Sequence, residues 1–247
     1  MEDRKKELFA LLKDTNVYDN FCEDDGDGFF YNEISEELAK QCDYGYGASK
    51  FVLIPNEGNF VFKIPFEGST YESYCNDDGE VEELDDYFET FSGAAVDGVY
   101  SWDYCATEEY RYKVAEENGL GFAFAKTEFF DYMGATEHPV YIQEKCQVFS
   151  KKYEYGSSHN SKEELEKTNK IISSKFSDSS TDAGYYCGIG INDDWLTDFR
   201  LYYGEKMLIK FINFIKEKHW DEDLRTDNIG YRLNGTPVLI DYSGYNS

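Results

Sequence analysis

Basic side chains are scarce in this sequence: 24 Lys and Arg stand against 50 Asp and Glu, a formal net charge of −26. Long-range electrostatics then disfavour a phosphate backbone or an anionic lipid surface as partner. An acidic mimic of nucleic acid would fit the same charge, although acidity more often serves only solubility. Paired cysteines are lacking as well. Cys22, Cys42, Cys75, Cys105, Cys146 and Cys187 are scattered, with no C-x-x-C and no histidine at zinc-ligand spacing. That pattern argues against a zinc site or a disulfide framework and predicts reduced thiols in a cytoplasm. No apolar run approaches membrane-spanning length. The opening "MEDRKKELFALLKD" is charged and helical in period, unlike a signal peptide. The expectation is a soluble, cytoplasmic protein that meets neither membrane nor nucleic acid.

What is present is apolar mass: 41% of the 247 residues are hydrophobic and 18% aromatic. This supplies a core for one bilobal domain or two modest ones. Helices are expected over 4–13 and over 32–41, the second capped by Asn32. Between them "CEDDGDGFFYNEI" resembles a calcium loop until its twelfth position, counted from Glu23, which is Ile34 where a bidentate Glu is needed. It reads as an acidic turn. Two β-rich runs, 50–54 and 59–64, joined by the turn residues 55–58, predict an antiparallel hairpin behind a glycine-containing turn. Residues 67–102 read as an acidic insertion. A helix is expected over 103–118, stopped by Gly119. "FAKTEFFDYM" and "HPVYIQEKCQVF" read as further strands of a mainly antiparallel sheet. The polar stretch after Phe149 reads as part helix and part loop, and Leu201, Leu208, Ile209, Phe211, Ile212 and Ile215 predict the apolar face of one long helix.

The C-terminal "NIGYRLNGTPVLID" reads as two strands around Asn234-Gly235, a pairing that favours a two-residue type I′ turn. Opposed residue numbers would then sum to 469, setting Tyr231 against Val238, Ile229 against Ile240 and Asn228 against Asp241. Directly opposed residues share a face with Cβ atoms roughly 5 Å apart. An Asn and an Asp side by side offer hard oxygen ligands suited to Mg²⁺ or Mn²⁺, with Asp223 expected close by. The alternative is that both merely end their strands.

At these residues the sequence resembles the protein-kinase-like superfamily. Asp223, Asn228 and Asp241 follow the order of the family's catalytic Asp, the Asn five residues on and the metal-binding Asp of D-F-G, with "DYSG" in the last place. "DLRTDNIG" is closer to the D-L-H-x-x-N loop of aminoglycoside and choline kinases than to H-R-D. Upstream, Lys63 in "FVFKIPF" resembles the third-strand lysine. "GYGASK" resembles a degraded glycine-rich loop, with Gly45 and Gly47 in place and Lys50 at the third glycine, where it could itself contact phosphate. Taken alone, two glycines explain a tight turn equally well, and Lys63 reads as a snorkelling lysine. Glu108 is the choice for the lysine's partner because Tyr112 and Ala115 share its helical face; Glu109 competes. "VYIQEKCQV" resembles the hinge, with Glu144 and Cys146 offering backbone groups to adenine and Ile142 near the gatekeeper position.

The resemblance implies an α+β, bilobal protein-kinase-like fold. Residues 1–145 would form an antiparallel-sheet N-lobe with a helical extension and the acidic insertion, and 146–247 a reduced, mainly helical C-lobe. It further implies that Asn228 and Asp241 hold Mg²⁺ or Mn²⁺ on ATP and that Lys63, fixed by Glu108, orients the phosphates. Asp223 would take the proton of an attacking hydroxyl, and Arg225 would stabilise charge on the γ-phosphoryl group. Asp221 and Glu222 stand where the family has His-Arg, and only Tyr245, Asn246 and Ser247 follow "DYSG". Control by a phosphorylated activation loop is therefore not expected, and substrate binding falls to residues 150–200, the acidic insertion or a partner chain. Two functions remain in view: an ATP-dependent phosphotransferase on a protein or small-molecule hydroxyl, and an inactive kinase-like binding or regulatory module.

Overall fold

The computed structural model describes residues 2–13, 35–46, 50–65, 73–75, 81–83, 95–96, 99–100, 103–134, 137–153, 158–175, 191–218, 220 and 224–243. They belong to two compact units, one built mainly from Met1–Tyr110 and Thr127–Lys145, the other from Arg111–Lys126 and Cys146–Tyr245. Arg111–Lys126, inside the expected 1–145 segment, goes with the second unit, because Ala115, Leu120, Ala123 and Phe124 are all fully buried in that unit's core.

The first unit opens with helix α1 (Glu2–Leu12) and a single turn, α2 (Glu36–Ala39), whose Ser35 Oγ accepts the Leu38 N–H at 3.2 Å. The cap is thus Ser35; Asn32 lies outside the described residues. Strands β1 (Cys42–Tyr46), β2 (Lys50–Pro55) and β3 (Phe60–Pro65) follow. Of the acidic stretch, two short antiparallel pairs are described, β4 (Ser73–Cys75) with β5 (Val81–Glu83) and β6 (Ala95–Val96) with β7 (Val99–Tyr100). Helix α3 (Tyr104–Glu117) comes next and ends at Gly119, whose φ of +65° suits the C-cap role expected of it. Strands β8 (Thr127–Met133) and β9 (His138–Glu144) complete an antiparallel sheet of order β1-β2-β3-β9-β8.

Period-two alternation gives that sheet two different faces. Phe60, Phe62 and Ile64 of β3 share one face with Phe51 and Leu53 of β2 and Val140 and Ile142 of β9. These pack with Leu8, Phe9 and Leu12 of α1 into one apolar core. The intervening residues, Lys50, Lys63, Tyr141 and Gln143, fall on the other face and are buried there as well. Strand β3 is consequently buried along its whole length. A lysine in such a strand needs a partner, since an unpaired buried charge is strongly destabilising.

The second unit contains a 3-10 turn at Gly121–Ala123, β10 (Cys146–Val148), α4 (Phe149–Lys152), α5 (Lys162–Lys175), α6 (Asp193–Tyr203), α7 (Glu205–Glu217), β11 (Ile229–Arg232) and β12 (Pro237–Leu239). The single long helix expected here is two helices. Gly204, at φ +87° and ψ 161°, ends α6 and begins α7, a conformation essentially reserved for glycine. Leu201 is accordingly half exposed and not part of the apolar face, whereas Leu208, Phe211, Ile212 and Ile215 of α7 are fully buried.

The terminal hairpin also differs from its expected register. Ile229 faces Leu239, Gly230 faces Val238 and Tyr231 faces Pro237, a slip of one residue. Gly235 N–H donates to Arg232 O at 2.8 Å and Arg232 N–H to Thr236 O at 2.8 Å, so the loop is the three residues Leu233-Asn234-Gly235. Only Gly235 takes positive φ (+85°) in that loop. A type I′ turn would require it of Asn234 too, whereas a type I turn followed by one left-handed residue gives this three-residue form. The slip separates the pairs expected to share a face, Tyr231 with Val238 and Ile229 with Ile240. Ile229, Tyr231 and Leu239 enter the core, and Leu233 is exposed.

Candidate functional site

In the first unit, Lys63 Nζ donates to both oxygens of Glu108, at 2.9 and 2.8 Å, and Lys50 Nζ donates to Oε1 at 2.7 Å. Thr127 Oγ1 donates to Oε2 at 3.0 Å, and Gln143 Nε2 reaches the same oxygen at 3.4 Å and Thr127 Oγ1 at 2.8 Å. The carboxylate is fully buried and both lysines are almost so. The arrangement follows from the pleat. Val52 opposes Lys63, so Lys50, two residues back on β2, projects on the same face, and α3 sets Glu108 over both. The structure therefore brings Lys63 and Glu108 together. Glu109, one residue on, is only half-buried.

Asp103 caps α3 beside this cluster. Its Oδ1 accepts the N–H groups of Cys105 (3.0 Å) and Ala106 (2.9 Å), and its Oδ2 accepts Tyr141 O–H at 2.6 Å. Burial outweighs these donors and raises the Asp103 carboxyl above the usual carboxylate value. Burial also raises the Tyr141 hydroxyl and lifts the Cys105 thiol well above its ordinary value, so Cys105 sits among charges as an inert thiol.

Of the other residues expected at a nucleotide, Gly45, Lys50, Ile142 and Glu144 belong to the first unit and Cys146 to the second. Gly45 is within strand β1, opposite Val52, where an added Cβ would meet nothing within 4 Å. It is a strand residue, not a turn residue, and Gly47 lies outside the described residues. Lys50, expected at a phosphate, contacts Glu108 instead. Ile142 packs in the apolar core on the opposite face from Lys63, by the same alternation that directs Gln143 to Lys63's face. Glu144 ends β9 opposite Phe60, and Cys146 begins β10 opposite Arg232.

In the second unit, the backbone of Asn228 receives that of Asp241 despite the shifted register. Asn228 O accepts both Ile240 N–H (2.8 Å) and Asp241 N–H (3.1 Å). The bifurcation lets β12 take the register of 468 and still bring Asp241 beside Asn228. Asn228 is buried and Asp241 half-buried. Asp241 Oδ1 accepts Ser243 Oγ at 3.1 Å and Ser243 N–H at 3.5 Å. Asn228 N–H donates to Arg225 O at 2.9 Å, closing a turn that α4 anchors through Ser150 Oγ to Asp227 Oδ1 at 2.5 Å. Arg225 is exposed and Asp223 lies outside the described residues.

Among the described residues no group of three or more His, Cys, Asp or Glu forms a metal cluster. One Asn and one Asp with oxygen donors suit a hard cation whose remaining ligands are phosphate and water. No helix among the described residues is long and apolar enough to cross a membrane. No protein-family model and no curated protein matches this sequence.

Sequence reasoning missed Thr127 and Gln143. Their signal is the strand register, Thr127 opposite Gln143 and Lys63 opposite Tyr141, which residue types alone do not reveal. Arg111, one turn beyond Glu108, was likewise not singled out.

Proposed function

We propose that this chain is a kinase-like, ATP-dependent phosphotransferase of the cytoplasm, acting on a hydroxyl of a protein or a small molecule, with a bilobal kinase-like arrangement. The observation that carries the reading is the buried Lys63–Glu108 pair, formed by a strand lysine and a helix glutamate 45 residues apart. In this reading Lys63 holds ATP phosphates, with Glu108 fixing the ammonium. Lys50 and the backbone near Gly45 and Gly47 border the nucleotide, and Glu144 and Cys146 present backbone groups to the base. Asn228 and Asp241 hold the Mg²⁺ or Mn²⁺, which supplies charge neutralisation on the phosphates. Asp223 accepts or orients the proton of the attacking hydroxyl, and Arg225 offsets charge on the transferred group.

A second reading is a kinase-like binding module without transfer. The burial of both lysines against one carboxylate supports it, since phosphate must then compete with Glu108 for them. Thermal unfolding with ATP, with and without Mg²⁺, separates the outcomes when the wild type is compared with Asp241→Ala. A metal-dependent rise in Tm lost in Asp241→Ala supports a nucleotide site of this kind. Phosphoryl transfer to any hydroxyl acceptor then marks the enzyme, and saturable binding without turnover marks the module. No shift in the wild type contradicts the enzyme reading.

A further inference from the structure

Arg111 is 3% exposed, and its Nη1 donates to the backbone carbonyl of Tyr242 at 2.6 Å. The guanidinium also lies 5.0 Å from the centre of the Trp220 ring, a cation–π distance. Tyr242 is held at its other end by its hydroxyl, which donates to Ala125 O at 2.6 Å, and its ring meets Phe124 edge-on at 5.1 Å. All of these residues belong to the second unit.

The carbonyl that Arg111 holds shares a peptide plane with the Ser243 N–H. In a trans peptide the C=O and N–H point in opposite directions, and this N–H points at Asp241 Oδ1. Ser243 Oγ donates to the same oxygen. Arg111 therefore fixes the plane whose far side fixes the Asp241 carboxylate. We propose that Arg111 is a positioning residue, acting through the Tyr242–Ser243 peptide to aim the Asp241 carboxylate at a divalent cation. The proposal rests on the reading of Asp241 as a metal ligand. Partners that orient metal ligands in this way typically govern about 10- to 100-fold of metal affinity.

The test is a Mn²⁺ titration of the full chain with ATP present, read by the electron paramagnetic resonance of free Mn²⁺, together with ATP affinity measured without metal. Arg111→Met is expected to raise the half-saturating Mn²⁺ concentration about tenfold or more and to leave metal-free ATP affinity within about twofold of wild type, less than 0.5 kcal/mol. Arg111→Lys, which keeps a cation and a donor, is expected to recover most of the loss. Ile172→Ala opens a cavity at another buried position of the same unit and is expected to lower Tm without moving the Mn²⁺ midpoint. Should Arg111→Met fail to fold, Arg111→Lys carries the comparison, with a smaller but measurable rise expected. A wild-type midpoint retained in every folded Arg111 variant overturns the positioning role and leaves the function intact. Absence of metal-dependent ATP binding in the wild type overturns both.

Discussion

Glu108 is held from several directions: two ammonium groups, a hydroxyl and an amide meet its two oxygens. Removing it leaves two lysines in a desolvated face. Glu108→Ala should destabilise the protein by about 3–5 kcal/mol, the usual penalty for breaking a buried pair from one side, read as a lower urea midpoint at unchanged m. Glu108→Gln keeps an acceptor and should lose less. Asp103 gives a pH-dependent counterpart. Its folded value is raised above the ordinary 3.8, so the proton it gains stabilises the fold fully below the unfolded value. That contribution disappears as pH rises through the folded value. The stability of wild type relative to Asp103→Asn should therefore grow as pH falls through the carboxylate range, measured by urea unfolding at stepped pH. A difference that shrinks on acidification would contradict the raised value. Lys63 and Glu108 were legible as a pair only through the resemblance, since Lys63 taken alone reads as a snorkelling lysine. Lys50, Thr127 and Gln143 were not, because their convergence depends on strand register.

The two departures among the elements have one origin, glycine conformation. Helical periodicity runs unbroken through the α6–α7 junction, so only the backbone at Gly204 reveals the break. Asn-Gly suited two kinds of turn, and the Asn234 side chain, accepting Thr236 N–H at 3.1 Å, accompanies the three-residue one. Gly230 is required for another reason: an added Cβ would stand 2.2 Å from Gln147 O on the neighbouring strand. Gly235, by contrast, has positive φ with open space around it. Gly235→Ala should lose about 1 kcal/mol, and Gly235→Asn less, because Asn tolerates the left-handed region. Gly230→Ala should lose more, about 1–3 kcal/mol or above, by prying β10 from β11. Thermal unfolding of the three variants checks the order; a Gly230→Ala loss no larger than that of Gly235→Ala would contradict it.

An α+β composition, and apolar mass enough for one bilobal domain or two modest ones, were readable from the hydrophobic pattern. The assignment of Arg111–Lys126 was not, since one continuous helix passes from the first unit to the second at Tyr110. Net charge of −26 gives the whole molecule a field that opposes ATP, so binding should depend on the metal and on the few basic groups, and weaken little with added salt. Calorimetric titration of ATP into the wild type and into Lys63→Met, each with and without Mg²⁺, tests the central claim most directly. Saturable, Mg²⁺-dependent binding that falls about tenfold or more, at least ~1.4 kcal/mol, in a folded Lys63→Met variant is the predicted result. Folded wild-type protein that binds no ATP at millimolar concentration with Mg²⁺ present, or a Lys63→Met variant that binds as the wild type does, would contradict it.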